Sequence, residues 1–185
     1  MNYVKWELLF MYQETAKGYL ETVKYVLSPV DPQLHFILGY IGELGELFDA
    51  IKKHKIYGQD LDKENVLEEL GDLLYYVALY FINNKIEEDF VLYLNELLSS
   101  NIELFFNEDE LSNSRVGRAL LDLAKPICKC EELNVLEALV NIGTLAHILI
   151  DKRMGDVMQY NIDKLSKRYP DGYSEAMASG RLDKR

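Results

Sequence analysis

The stretch ENVLEELGDLLYY, residues 64–76, decides the fold. From Val66 to Ile82 the chain is apolar nearly all round when placed on a helix at about 100° per residue, the pattern of a buried helix. Glu69 and Asp72 interrupt that pattern, and the wheel sets them among Leu73, Tyr76, Leu79 and Tyr80 rather than on an opposite, polar face. Burying two like charges costs several kcal/mol each unless something neutralises them. No Lys or Arg lies within a helical turn of either residue. A hard divalent cation held by oxygen ligands resolves the conflict. A wet groove between helices is the alternative.

A second acidic pair lies upstream in GELGELFDAIKK, residues 42–53. On a helix over 34–53, Ile37, Ile41, Leu44, Phe48 and Ile51 form the expected core stripe. Glu43 and Glu46 fall just beyond one edge of it, beside Gly39 and Ala50. Three residues apart on a helix means neighbours on one face. Solvated helices carry such pairs often, so this one gains meaning only beside Glu69 and Asp72. Mg²⁺ suits sites of a few carboxylates that leave room for water and substrate phosphates, with Mn²⁺ as a substitute.

Working outward, helices are expected at 2–27, 33–54, 63–83, about 87–106, 114–129, 132–151 and 154–169. Ser28-Pro29 and Asp31-Pro32 separate the first two, and Pro170-Asp171-Gly172 stops the last. No period-two strand stands out, so the class is all-α: a helical bundle of six to seven helices in a single domain of 185 residues. The net charge of −11 argues against a protein that grips nucleic-acid backbones. The longest apolar run, Leu73 to Ile82, is about half of the roughly 20 residues a membrane span needs. Met1–Phe10 already carries Lys5 and Glu7, so no secretory signal is expected. Cys128 and Cys130 suit neither a disulfide nor a zinc knuckle, which fits a cytoplasmic protein. His35, His54 and His147 are too scattered to support a histidine metal site.

Glu43-Leu-Gly-Glu46 followed by Glu69-Leu-Gly-Asp72 resembles the paired ExxE and ExxD motif of the MazG-like all-α nucleoside triphosphate pyrophosphohydrolases, relatives of the dimeric dUTPases. YQETA at 12–16 and NIDKLSKRYPDGY at 161–173 are similar to that family too, in the expected order. The resemblance implies that Glu43, Glu46, Glu69 and Asp72 bind Mg²⁺ and that a water attacks the triphosphate. Nucleoside monophosphate and pyrophosphate then leave. Glu46 is the expected general base, with Glu43 beside it. Asn161, Lys164 and Arg168 lie within about 60° on a helix wheel, a polar, cationic face fit for phosphates. A basic last turn complementing the helix dipole is the other reading. Lys52 and Lys53 are second-rank phosphate candidates. Tyr12, Gln13, His35 and Trp6 are candidates for base contacts. The expected substrates are deoxynucleoside or non-standard nucleoside triphosphates, and the expected assembly is a homodimer. A dUTPase- or dCTPase-type enzyme on the same scaffold, or a non-catalytic nucleotide-binding helical module, are the competing functions.

The middle of the chain is longer than the resemblance explains, and it contains a candidate repeat. Val66-Leu-Glu-Glu-Leu-Gly-Asp72 aligns with Val135-Leu-Glu-Ala-Leu-Val-Asn141. After a shift of three, Val91-Leu-Tyr-Leu-Asn95 aligns with Val157-Met-Gln-Tyr-Asn161. Glu69 and Asp72 become Ala138 and Asn141, while Lys164 and Arg168 correspond to Leu98 and Ile102. The losses are complementary, as in a degenerate duplication with an acidic half (1–107) and a half carrying the phosphate-binding helix (114–170). Coincidental matching of apolar helices is the alternative.

Overall fold

The protein, a computed structural model, is described over residues 15–99, 113–129 and 133–174. These residues form seven helices and no strand. Helix α1 covers residues 15–25. The rest are α2 (Pro32–Lys55), α3 (Lys63–Asn84), α4 (Glu87–Ser99), α5 (Asn113–Lys129), α6 (Val135–Ile150) and α7 (Met154–Arg168). The expected helical segments 2–14 and 100–106 lie outside the described residues, as does Cys130. No helix among the described residues is long and apolar enough to cross a membrane.

Local chemistry sets several helix ends. The Asp31 carboxylate accepts from the Leu34 N–H at 3.1 Å, with Pro32 occupying the first helical position of α2. Asp62 caps α3 through Asn65 N–H at 3.0 Å, and Asn134 caps α6 through Glu137 N–H at 3.1 Å. At the other ends, Lys85 and Asp151 sit in the left-handed region (φ 59° and 54°) and turn the chain into α4 and towards α7.

Helix α3 is the hub, packing against α2, α4, α6 and α7. Its Val66, Leu70, Leu73, Leu74, Val77, Ala78 and Leu79 are wholly buried, as the all-round apolar pattern requires. Asn83 at its end donates to the Pro32 carbonyl at 3.1 Å, so α2 and α3 run antiparallel. Helices α5 and α6 form a second packed pair, and the Tyr40 hydroxyl ties α2 to α5 by donating to the Leu123 carbonyl at 3.1 Å.

The stripe of α2 differs from the expected one. Phe36, Tyr40, Leu44, Leu47 and Ile51 are buried, whereas Ile37 and Ile41 are each 42 % exposed and Phe48 is half-buried. Turning Phe36 and Tyr40 inward buries two large rings, which pack on each other at 5.8 Å. The rotation matters for function. Glu43 lies about 60° from the centre of the observed stripe and is half-buried, while Glu46 lies about 120° away and is exposed.

Among α2 to α7, the principal packing pairs have a two-fold pattern. Exchanging α2 with α5, α3 with α6 and α4 with α7 maps α2–α3 onto α5–α6, α3–α4 onto α6–α7 and α3–α7 onto α6–α4. The α3–α6 and α2–α5 pairs map onto themselves.

Candidate active site

Three helices converge on one acidic centre. Glu43 comes from α2, Glu69 and Asp72 from α3, and each offers a carboxylate oxygen within 4.8 Å of the others. Glu69 is 2 % exposed, and its pKa is pushed up to about 8. Burial is the largest cause, followed by a hydrogen bond with Glu43 and the charges of Glu43, Glu46 and Asp72. Its Oε2 is buried with no hydrogen-bond partner. An orphaned buried carboxylate oxygen beside two further carboxylates is a donor set that fits a hard divalent cation.

Asp72 is held from both sides by α7. Its Oδ1 accepts from Asn161 Nδ2 at 3.0 Å and its Oδ2 from Lys164 Nζ at 2.5 Å. Lys164 also donates to Glu68 Oε1 at 2.7 Å. Burial works against the Lys164 charge, but the charge of Asp72 and the hydrogen bonds to Asp72 and Glu68 outweigh it and raise its pKa. The sequence showed no cation within a turn of Asp72. One arrives instead from a helix about 90 residues later, which local spacing does not register. Asp72 is thus neutralised by the fold, whereas the buried Glu69 Oε2 has no hydrogen-bond partner.

The structure brings Asn161, Lys164 and Arg168 together, though not as an open cationic face. Asn161 is fully buried. Its Oδ1 accepts from the Tyr19 hydroxyl at 2.9 Å while its Nδ2 serves Asp72, so both ends of the amide are engaged. Gly71 eases this approach, because a Cβ there would stand 3.2 Å from the Asn161 Cβ, a tight contact.

Beside the acids lies a cavity of about 410 Å³. Glu43, Asp72 and Arg168 line it together with the rings of His35, Tyr75, Tyr76, Tyr169 and Tyr173. Tyr75 and Tyr76 meet edge to face at 5.1 Å, and His35 meets Tyr76 at 5.6 Å and 89°. Burial lowers the His35 pKa, so its imidazole is neutral at pH 7, and its buried Nδ1 has no hydrogen-bond partner. The Arg168 guanidinium lies over the Tyr169 ring at 5.4 Å. Gly39 gives Tyr76 its place, since a Cβ at residue 39 would fall 2.0 Å from Tyr76 Cζ.

The other expected residues stand apart. Glu46 is exposed and outside the close trio, though its charge is felt at Glu69. Lys52 and Lys53 each pair with Asp49 at 2.7 Å on the exposed surface and do not line the cavity. Tyr12 and Gln13, like Trp6, lie outside the described residues. Sequence reasoning missed Glu68, Tyr75, Tyr76, Tyr169, Tyr173 and Tyr19. Three of these had a local signal: Tyr75 and Tyr76 follow Asp72 by one turn, and Tyr169 follows Arg168 directly. Tyr19 had none, being 142 residues from its partner.

No curated protein and no solved structure matches the chain. Residues 33–101, which contain α3, all of α2 but its first residue, and all four acids, match the family model of the MazG nucleotide pyrophosphohydrolase domain, so this part of the all-α bundle is similar to that domain.

Proposed function

We propose that the protein hydrolyses nucleoside triphosphates, deoxynucleotides or non-standard ones, to the monophosphate and pyrophosphate with Mg²⁺. The observation that carries this is the orphaned Glu69 oxygen within the trio Glu43, Glu69 and Asp72, set against a cavity that joins aromatic rings to Arg168. The trio would hold the cation, with Glu46 nearby. Bound there, Mg²⁺ supplies positive charge against the triphosphate and acidifies a water. Glu46, exposed and outside the trio, would take the proton from that water as general base. Arg168 meets charge on the phosphates, and Lys164 shares that task by exchanging Asp72 for a phosphate oxygen. The tyrosines and neutral His35 give the base flat apolar surfaces and one hydrogen-bonding nitrogen.

His35 favours a second reading, a base-selective dUTPase- or dCTPase-type activity, because its orphaned Nδ1 seeks a partner on the base edge. Our reading also includes a homodimer in the cytoplasm. On α2, Ile37 and Ile41 are exposed and stand outside the cavity lining, which supports self-association. It further includes a degenerate duplication, supported by the exchange pattern of the helices and by matched burial at Glu69 and Ala138, Leu70 and Leu139, and Leu73 and Ile142.

Pyrophosphate release from a panel of standard and modified nucleoside triphosphates, with Mg²⁺ and with a chelator, tests the function. Mg²⁺-dependent release of pyrophosphate, selective for some bases, is expected. Release of inorganic phosphate alone, or release that survives chelation, would overturn it.

A further inference from the structure

The mechanism above leaves a fully buried tyrosine unused at the centre of the molecule. Tyr19 of α1 is 0 % exposed, with its ring stacked on Phe90 at 6.2 Å and 15°. Its hydroxyl donates to Asn161 Oδ1 at 2.9 Å, and Asn161 Nδ2 donates to Asp72 Oδ1 at 3.0 Å. We propose that Tyr19 is a positioning residue, whose hydroxyl acts through Asn161 to fix the plane in which the Asp72 carboxylate faces Glu43 and Glu69. The inference rests on reading Asp72 as a metal ligand.

The physical case is one of rotation. An aspartate carboxylate turns about its Cβ–Cγ bond with its two oxygens moving together, so its plane is only as fixed as the donors that hold it. Lys164 holds Oδ2, but a lysine is a flexible point charge that also serves Glu68. Asn161 holds Oδ1 with a rigid, planar donor. That amide presents its NH₂ to Asp72 only if its carbonyl faces elsewhere, and the Tyr19 hydroxyl gives the carbonyl a donor on the far side. Outer partners of this kind orient metal ligands, and losing one typically weakens metal binding by about 10–100-fold. Asn161 is buried with both ends of its amide engaged, so in this arrangement it serves Asp72 and not a phosphate.

The test compares the full-length protein with Tyr19→Phe, Asn161→Leu, the double variant and Asp72→Asn. Mn²⁺ affinity is read by electron paramagnetic resonance without nucleotide, and melting temperature is read in parallel without metal. The relay predicts that Tyr19→Phe and Asn161→Leu each weaken Mn²⁺ binding about ten-fold or more. It also predicts that the double variant is no weaker than Asn161→Leu alone, because the hydroxyl acts only through the amide. A lower melting temperature for Tyr19→Phe with unchanged Mn²⁺ affinity overturns the proposal, since that is what a purely structural hydroxyl gives. So does a further ten-fold loss on adding Tyr19→Phe to Asn161→Leu. That background sets Phe beside an apolar neighbour, so it reports on Tyr19 even if the single variant does not fold. Asp72→Asn separates the two levels. Mn²⁺ binding unchanged in Asp72→Asn overturns the metal-site reading itself. Binding lost in Asp72→Asn but intact in Tyr19→Phe overturns the relay alone.

Discussion

Glu69 holds its proton up to about pH 8 because it is buried beside Glu43 and within reach of the charges of Glu46 and Asp72. In the unfolded chain the same carboxyl ionises near its ordinary value of 4.5. Between those two values the folded state keeps a proton that the unfolded state has released. Stability therefore falls as pH rises through the window, and the full contribution is present only below it. Metal-free protein is expected to lose on the order of 2–4 kcal/mol between about pH 5 and 8, visible as a falling melting temperature. Excess Mg²⁺ should flatten that slope, because a cation replaces the proton. Glu69→Gln should flatten it without metal and abolish hydrolysis. A slope that persists in Glu69→Gln would show that another group governs it. Lys164 does not contribute in this range, because its charge is held by Asp72 and Glu68 well above it.

Two glycines ease the close packing around the site, Gly71 on α3 and Gly39 on α2. Gly71 admits Asn161 from α7, and Gly39 on α2 admits the Tyr76 ring. A methyl group at residue 39 must push that ring aside, and overpacking of this kind costs roughly 1–3 kcal/mol. The ring lines the cavity, so the displacement falls on substrate binding more than on the acids. Gly39→Ala is expected to raise KM about ten-fold, equivalent to about 1.4 kcal/mol, with kcat within a few-fold. A collapse of kcat at unchanged KM would put Tyr76 in the chemistry instead. The same elements show what the sequence could reveal. The buried course of α3 and its two acids was legible because all-round apolarity and two misplaced charges are local facts. The face of α2 was read wrongly, with Ile37 and Ile41 preferred to Phe36 and Tyr40, because two apolar stripes compete on that helix and only its neighbours choose between them. The role of α7 was half legible. Its cations were visible, but whether they meet phosphate or carboxylate depends on which helix lies opposite.

Among the described helices, exchanging α2 to α4 with α5 to α7 preserves which helices pack together but not their chemistry. Where α3 carries Glu69 and Asp72, the aligned positions of α6 are Ala138 and Asn141, and Ala138 is 3 % exposed in the core. Where α7 carries Lys164 and Arg168, α4 carries Leu98 at the first aligned position, and the second, Ile102, lies outside the described residues. A second acidic centre at α6 would need buried carboxylates with no cation helix across from them, which costs several kcal/mol per charge. The duplication reading therefore predicts one metal and nucleotide site per chain, built from the acids of the first half and the cations of the second. Two chains in a homodimer should carry two such sites, each complete within its own chain, since Lys164 already reaches Asp72 without a partner. Calorimetric titration with Mg²⁺ and a non-hydrolysable triphosphate should saturate at one nucleotide per chain, whatever the oligomeric state at that concentration. Saturation at two per chain would show that the second half keeps a working site. Saturation at one per two chains would mean that the site is shared between protomers, and the single-chain composite would fall.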